Sequence, residues 1–281
     1  MASLSRRFLL HPRRRASRGG LRLFPLRLGP AISLLAWAAA LAHSPAASAQ
    51  EPVWSPRPGI VGQDDRKPVD TTAWPWQALG RINRDDGSHC TGALIATDAV
   101  LTAAHCLMDR RSGGWLPPKT VVFVAGFRRN EDLGYAHGRE IAHPAHAIDP
   151  RKPMLQDIGD DWAVLYLDHR LAVRPIPVRP LPAGDGKRPA AHLMLAGYSQ
   201  ERPYMLSLHD GCAVQARVDG NRVLFTDCDS THGDSGSPLL AKRGGKIWIV
   251  GVASAIVVRG ARVGSYAVSA AAFAGQTARI K

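Results

Sequence analysis

The chain has 281 residues, with 36 basic and 23 acidic side chains and a formal net charge of +13. That length admits one large domain or two small ones around a substantial core. Eight of the basic residues, all arginines, lie within residues 1–49, which hold no acid; without them 28 face 23 and the net charge falls to +5. A nucleic-acid binder thereby loses its main support, and a cationic surface-binding protein would rest on that small excess alone.

The arginine-rich start is followed by the apolar run Ala31–Ala42 and the small-residue site Ala47-Ser48-Ala49. Basic region, apolar region and A-x-A site, in that order, predict a signal peptide over residues 1–49 and an exported protein, periplasmic or extracellular. The apolar run is short of the ~20 residues that a membrane span needs, so no stable anchor is expected after cleavage. Ser5-Arg6-Arg7-Phe8-Leu9-Leu10 is similar to a twin-arginine signal but stands far from the apolar run, which leaves the general and twin-arginine routes both open. Residues 50–59, with Pro52, Pro56 and Pro58, read as a propeptide or flexible segment.

Beyond Gln77, short apolar runs alternate with Gly, Pro, Asn and Asp. Strands are predicted at Gln77–Ile82, Cys90–Ile95, Ala99–Ala103, Val121–Ala125, Trp162–Leu167, His192–Ala196, Cys212–Val218, Arg222–Thr226, Ile247–Ala255 and Ser265–Val268. Many short strands with little helical periodicity predict an all-β sandwich or barrel. Residues 174–186, rich in Pro and Gly, read as a connector between halves at about 60–173 and 187–268. The Ala-rich segment 269–281 is predicted to be a closing helix.

All four cysteines, Cys90, Cys106, Cys212 and Cys228, lie beyond the signal. An even count in an exported chain predicts two disulfides, and four cysteines allow three pairings. The local pairing Cys90–Cys106 and Cys212–Cys228 is preferred, because each pair flanks a segment that carries chemistry. No C-x-x-C spacing supports zinc.

Three segments carry that chemistry. Gly233-Asp234-Ser235-Gly236 sets a serine between glycines, whose backbone freedom permits a sharp loop. In such a loop the amides of Gly233 and Ser235 can point together at a developing oxyanion. The same tetrapeptide is also ordinary turn chemistry, so a base and an orienting acid are required. Leu101-Thr102-Ala103-Ala104-His105-Cys106 supplies the base, with small residues that let a second segment approach the imidazole. Asp161, heading the apolar run Trp162–Leu167, can hold the histidine in the right tautomer, with Asp157 and Asp160 as rivals.

In the order His105, Asp161, Ser235 these motifs make the chain resemble the trypsin/chymotrypsin-fold serine endopeptidases over roughly residues 60–275. Thr102-Ala103-Ala104-His105-Cys106, Asp161-Trp162-Ala163-Val164-Leu165 and Gly233-Asp234-Ser235-Gly236-Ser237-Pro238 match the family's three motifs, and the second selects Asp161 over its rivals. Ser237 stands where glycine is commoner. An α/β-hydrolase is excluded, because that class needs Gly-x-Ser-x-Gly and the order serine, acid, histidine.

The resemblance implies an all-β fold of two antiparallel six-stranded barrels, a protein or peptide substrate, a monomer, and no metal or organic cofactor. It also implies Asp229 and Ser254 as substrate-binding residues, with Ile256 narrowing the pocket entrance and His232 either flanking that entrance or simply exposed. Ser254 is further expected to hydrogen-bond Asp161. Ile60-Val61-Gly62 has the form of an activation terminus that would pair with Asp234, which implies an activating protease. Pro58 blocks a cut after Arg57, however.

The details Cys228-Asp229-Ser230 and Asp64-Asp65-Arg66 with Asp70-Thr71-Thr72 are similar to secreted bacterial glutamyl-endopeptidase-like members. Ala253 departs from the histidine that those pockets carry. Basic, small or apolar, and acidic P1 residues (the residue just before the cut) therefore stay open. So does a catalytically inactive binding module of the same fold.

Overall fold

The computed structural model describes residues 58–278 except 147, 150, 152–153, 183–190 and 260–261. The signal peptide, most of the segment 50–59, the last four residues of the connector and residues 279–281 of the expected closing helix lie outside the described residues.

Fourteen strands, one α-helix and four short 3-10 helices are described. After β1 (Lys67–Pro68) come β2 (Leu79–Asn83), β3 (His89–Ala96), β4 (Ala99–Thr102), β5 (Val122–Ala125), β6 (Tyr135–Ala142) and β7 (Ala163–Leu167). The last six close into an antiparallel barrel in the order β2-β3-β4-β7-β6-β5. Ile82, Leu94, Val100, Phe123 and Leu165 share one face by register and fill it, all fully buried, while Leu79 and Leu101, equally buried, lie on the other face. Removing such side chains from water is the main favourable contribution to the fold, about 1.5–3 kcal/mol for each.

The second half holds β8 (His192–Gly197), β9 (Ser207–Cys212), β10 (Val214–Val218), β11 (Val223–Thr226), β12 (Pro238–Arg243), β13 (Lys246–Arg259) and β14 (Arg262–Ser269). These form an eight-stranded sheet, β1-β9-β8-β12-β13-β14-β11-β10, with β1 added at one edge. Only Ala213 separates β9 from β10, yet the two lie toward opposite ends of the sheet. The sheet must therefore curl until they meet. Counted as one bent strand, with β1 set aside, they give the expected six strands, but as a curled half-barrel without a closed hydrogen-bond ring.

The connector differs from a loose linker along its first half. Ile176 is fully buried and its amide donates to the Leu94 carbonyl at 2.9 Å, while Ile249 N–H donates to the Pro177 carbonyl at 2.8 Å. The closing helix α1 spans Ala270–Thr277 and is capped by the Ser269 hydroxyl, which accepts from Ala271 N–H. Its buried Phe273 packs on Trp162, with ring centroids 5.6 Å apart, so the C-terminal helix braces the residue after Asp161. Cys90–Cys106 and Cys212–Cys228 are bonded. Among the described residues no helix is long and apolar enough to cross a membrane.

Candidate active site

β4 ends at Thr102, and a single 3-10 turn, Ala104–Leu107, carries His105 out of the barrel wall. Ala103, Ala104, Cys106 and Leu107 are wholly buried, so the backbone under the imidazole is packed on all sides. The bonded Cys106 sets its sulfur 3.8 Å from His105 Nε2. Asp161 follows another 3-10 turn, Leu155–Asp160, and is fully buried just ahead of β7.

Its carboxylate is satisfied on both oxygens. Oδ1 accepts the His105 N–H at 2.9 Å, and Oδ2 accepts His105 Nδ1–H at 2.7 Å and the Ser254 hydroxyl at 2.5 Å. Burial works to raise the Asp161 carboxyl, but the charge and hydrogen bonds of His105, joined by Ser254, outweigh it and hold the group below the usual carboxylate range. Being ionised, Asp161 places the imidazole proton on Nδ1 and leaves Nε2 free to accept one.

The serine loop is pinned from both halves. Thr91 N–H, on β3, donates to the Ser235 carbonyl at 2.9 Å, and Thr91 Oγ1 donates to the Gly233 carbonyl at 3.1 Å. On the other side Gly236 N–H donates to the Ala253 carbonyl, and Ala253 N–H to the Ser237 carbonyl, both at 2.8 Å. Gly236 has φ +82°, and a Cβ there would lie 2.2 Å from both Thr102 Oγ1 and the Thr91 carbonyl. Only glycine lets the serine loop approach the histidine-bearing strand so closely. Gly233, with φ +91°, faces the Tyr198 carbonyl in the same way. Among the described residues, the amides of Gly233 and Ser235 donate to no protein acceptor, which leaves both available to an oxyanion.

His105, Asp161 and Ser235 line one cleft of about 590 Å³. One wall is apolar and partly exposed, with Met154, Leu155 and Ile158; the other has Ser230, Thr231, Ala255, Ile256 and Tyr266. Ser254, Ile256 and the exposed His232 also line it. Arg110 stands at the cleft as a cation.

Asp229 does not line this cleft. It is buried, with Oδ1 accepting Val61 N–H at 2.8 Å and Oδ2 accepting Asp65 N–H at 3.0 Å. His209 Nδ1 accepts the Asp229 amide at 2.8 Å. The expectation that Asp229 reads the substrate is thus met by a carboxylate turned toward residues 61–65, because two unpaired amides there claim it.

The expected pairing of Ile60 with Asp234 meets a different partner too. Asp234 Oδ2 takes Arg66 Nη1–H at 3.0 Å and Thr231 N–H at 2.8 Å, while the Ile60 side chain is buried. Burial pushes the Asp234 carboxyl up to about 7 even against the pull of Arg66 and the Thr231 amide. Motif reading does not reach Thr91, and it reaches Arg66 only as part of Asp64-Asp65-Arg66, without this role. Nothing local gives either role away: the partners of Arg66 and Thr91 in the serine loop are 168 and 142 residues away along the chain.

Two groups of side chains bring metal-ligating atoms within 4.8 Å: Cys90, His105 and Cys106, and Asp65, His209 and Asp229. The cysteines of the first are bonded to each other. In the second, the Asp229 oxygens and His209 Nδ1 are already taken by amides. Neither set therefore presents three unengaged ligand atoms among the described residues.

Two antiparallel β units with a serine loop and a carboxylate-bound imidazole facing one cleft define a protein of the serine-peptidase type. The chain belongs to the trypsin family, whose model, Trypsin, matches residues 64–274. It is 43% identical over 63 residues to the glutamyl endopeptidase of Bacillus licheniformis, a match covering 22% of this chain and 20% of that protein. The venom protease of Bombus pensylvanicus is 29% identical over 220 residues, or 67% of this chain and 86% of that one. A 41% match to chymotrypsin-C of Mus musculus covers 22% and 24% of the two chains. Thus the chain spans only about a fifth to a quarter of two of these relatives. A solved structure of a Glu endopeptidase in complex with MPD superposes with TM-score 0.61 at 22% identity, covering 78% of this chain and 100% of that one.

Proposed function

We propose that the protein is an exported serine endopeptidase that cuts peptide bonds through an acyl-enzyme, with His105, Asp161 and Ser235 as its catalytic residues. His105 Nε2 takes the Ser235 hydroxyl proton as Oγ attacks the scissile carbonyl, and returns it to the leaving amine as the C–N bond breaks. Water then repeats the sequence, with its proton passing to His105 and back to Ser235 Oγ as the acyl ester is released. Asp161 keeps the imidazole oriented and stabilises its cationic form. The amides of Gly233 and Ser235 receive the oxyanion, each such donor being worth about 3 kcal/mol in the transition state.

The observation that carries this reading is the buried Asp161 carboxylate bridging His105 and Ser254 in the cleft that Ser235 also lines. Residues beside Ser235 favour a small or apolar P1 side chain: Ala255, Ile256 and Tyr266 line the cleft, and the nearby acid, Asp229, is occupied elsewhere. The protein is proposed to act as a monomer on protein or peptide substrates.

Titration with a fluorophosphonate tests the reaction. One equivalent should attach to Ser235, and a peptide library should then be cut after small or apolar residues. No label at Ser235 would return the chain to an inactive binding module, and cutting only after Lys or Arg would overturn the P1 reading.

A further inference from the structure

Resting on that reading of the site, we propose that Arg66 is a positioning residue that holds the serine loop in its reactive form. It takes the place of a chain-terminal ammonium, so the loop is complete before any cut at Ile60. Asp234 immediately precedes Ser235 and is almost wholly buried, so its charge must be matched inside the protein. The match comes from within the chain. Arg66 itself is buried, its side chain 2% exposed.

Every edge of its guanidinium is used. Nη1 donates to Asp234 Oδ2 at 3.0 Å and to Thr231 Oγ1 at 3.1 Å, while Nε and Nη2 grip the two Asp64 oxygens at 2.9 and 3.0 Å. Nη2 also reaches Glu201, whose carboxylate accepts the Thr231 hydroxyl. Arg202 closes the network by donating to the Arg66 carbonyl at 2.9 Å. A planar fork with five donors suits this task, and a lysine would leave acceptors unmet.

The bonds around Ile60 point the same way. The Gly59 carbonyl accepts Ser230 N–H at 3.1 Å, and Val61 N–H donates to Asp229 at 2.8 Å. The chain on both sides of Ile60 is thus fastened to the Asp229–Ser230 stretch. A new amino group at Ile60 would begin one residue from that fastening, and to reach Asp234 it would have to displace a buried, fully bonded guanidinium. With Arg66 in place, Asp234 and Thr231 fix the turn whose next amide belongs to Ser235. Asp234 N–H donates to the Thr231 carbonyl and Ser237 N–H to the Asp234 carbonyl, completing that turn.

The test has two arms. In the first, the full chain is exported from a host, labelled with a fluorophosphonate and weighed intact. The expected result is label on chains that begin upstream of Ile60 and keep Pro58-Gly59. Label confined to chains starting at Ile60 would overturn the proposal, and no label on any chain would overturn the endopeptidase reading itself.

In the second arm, Arg66→Met is expected to lower kcat by about 10²–10³-fold, the cost of one lost oxyanion donor, with KM little changed. Near-UV circular dichroism should remain native, and Arg66→Lys should recover part of the rate. A folded Arg66→Met with wild-type kcat would also overturn the proposal. If that variant does not fold, the first arm still decides.

Discussion

Replacing Asp229 by alanine separates two roles that the same carboxylate could play. In the structure it receives two backbone N–H groups, from Val61 at 2.8 Å and Asp65 at 3.0 Å, and lies 3.4 Å from His209 Nδ1. Hydrogen bonds to a charged acceptor contribute about 1.5–3 kcal/mol each, so losing both should cost about 3–6 kcal/mol. For a domain of this size each kcal/mol lowers Tm by about 2–4 °C, which gives a fall of about 6–24 °C. The assay pairs thermal unfolding of Asp229→Ala with kcat/KM on peptides carrying Arg, Ala, Leu or Glu at P1. The expected outcome is a large loss of Tm, early proteolysis between residues 59 and 66, and an unchanged rank order of substrates. The reasoning would be refuted by a selective fall of order 10³ on the Arg peptide, the scale of an unpaired buried charge, with Tm unmoved.

Three further outcomes follow from the site. Asp161→Asn keeps an acceptor for the His105 amide but turns an NH₂ donor on Nδ1; the imidazole proton moves to Nε2, and kcat should fall ~10⁴-fold in an otherwise native fold. Single-turnover acylation measures this, and a loss under tenfold would count against the tautomer role. Gly236→Ala drives a Cβ to 2.2 Å from Thr102 Oγ1 and the Thr91 carbonyl at φ +82°, so it should abolish labelling at Ser235 and lower Tm; normal labelling would show that the two halves do not meet there. Acid unfolding should also shift. The Arg66 hydrogen bond and charge hold Asp64 below its usual 3.8, and at Glu201 they outweigh burial to do the same. Depressed carboxylates contribute stability that is full above the ordinary value and is lost as pH falls through the folded one. Asp234, raised to about 7, has the opposite sign, its contribution declining as pH rises from 3.8 toward 7. Below pH 4 the depressed pair dominates. A folded Arg66→Met should therefore unfold at higher pH than wild type in a circular-dichroism titration, and an equal midpoint would contradict the network's role.

Motif reading reached His105, Asp161 and Ser235 because each sits in a locally dense pattern: small residues before the histidine, an apolar strand after the aspartate, glycines around the serine. Those patterns are the local conditions for packing an imidazole, burying a carboxylate and turning a loop. The strands read from alternating apolar runs are present, with ends shifted by a few residues. Those missed have a clear cause. β6 runs Tyr135-Ala-His-Gly-Arg-Glu-Ile-Ala, and most of its side chains are exposed or half-exposed, so its pattern is that of a polar loop. β9 reads Ser-Leu-His-Asp-Gly-Cys, and β12 starts at Pro238 inside the serine motif, where turn chemistry masks a strand that pairs on both sides with β8 and β13. A side chain's direction was illegible for a deeper reason. Asp229 occupies a spacing that suggests a pocket acid, but whether it faces the cleft depends on which amides lie behind it, and those come from 164 and 168 residues away.

The two carboxylates in the serine loop's approach, Asp229 and Asp234, share one dependence. Asp229 gathers the amides of Val61 and Asp65, and Asp234 takes the guanidinium of Arg66. Residues 59–66 therefore form a strap whose backbone is fastened by the first carboxylate and whose cation satisfies the second. Each bond makes the other cheaper, because fixing Val61 and Asp65 removes most of the backbone freedom that Arg66 would otherwise lose on being buried. Arg66 in turn offsets the mutual repulsion of the three acids it holds, of which the push of Glu201 on Asp234 is one part. Stability and catalytic geometry thus come from the same few residues of the strap. The stretch Ile60-Val61-Gly62, expected as an activation terminus, leads into the segment whose Val61 and Asp65 amides hold Asp229 and whose Arg66 holds Asp234.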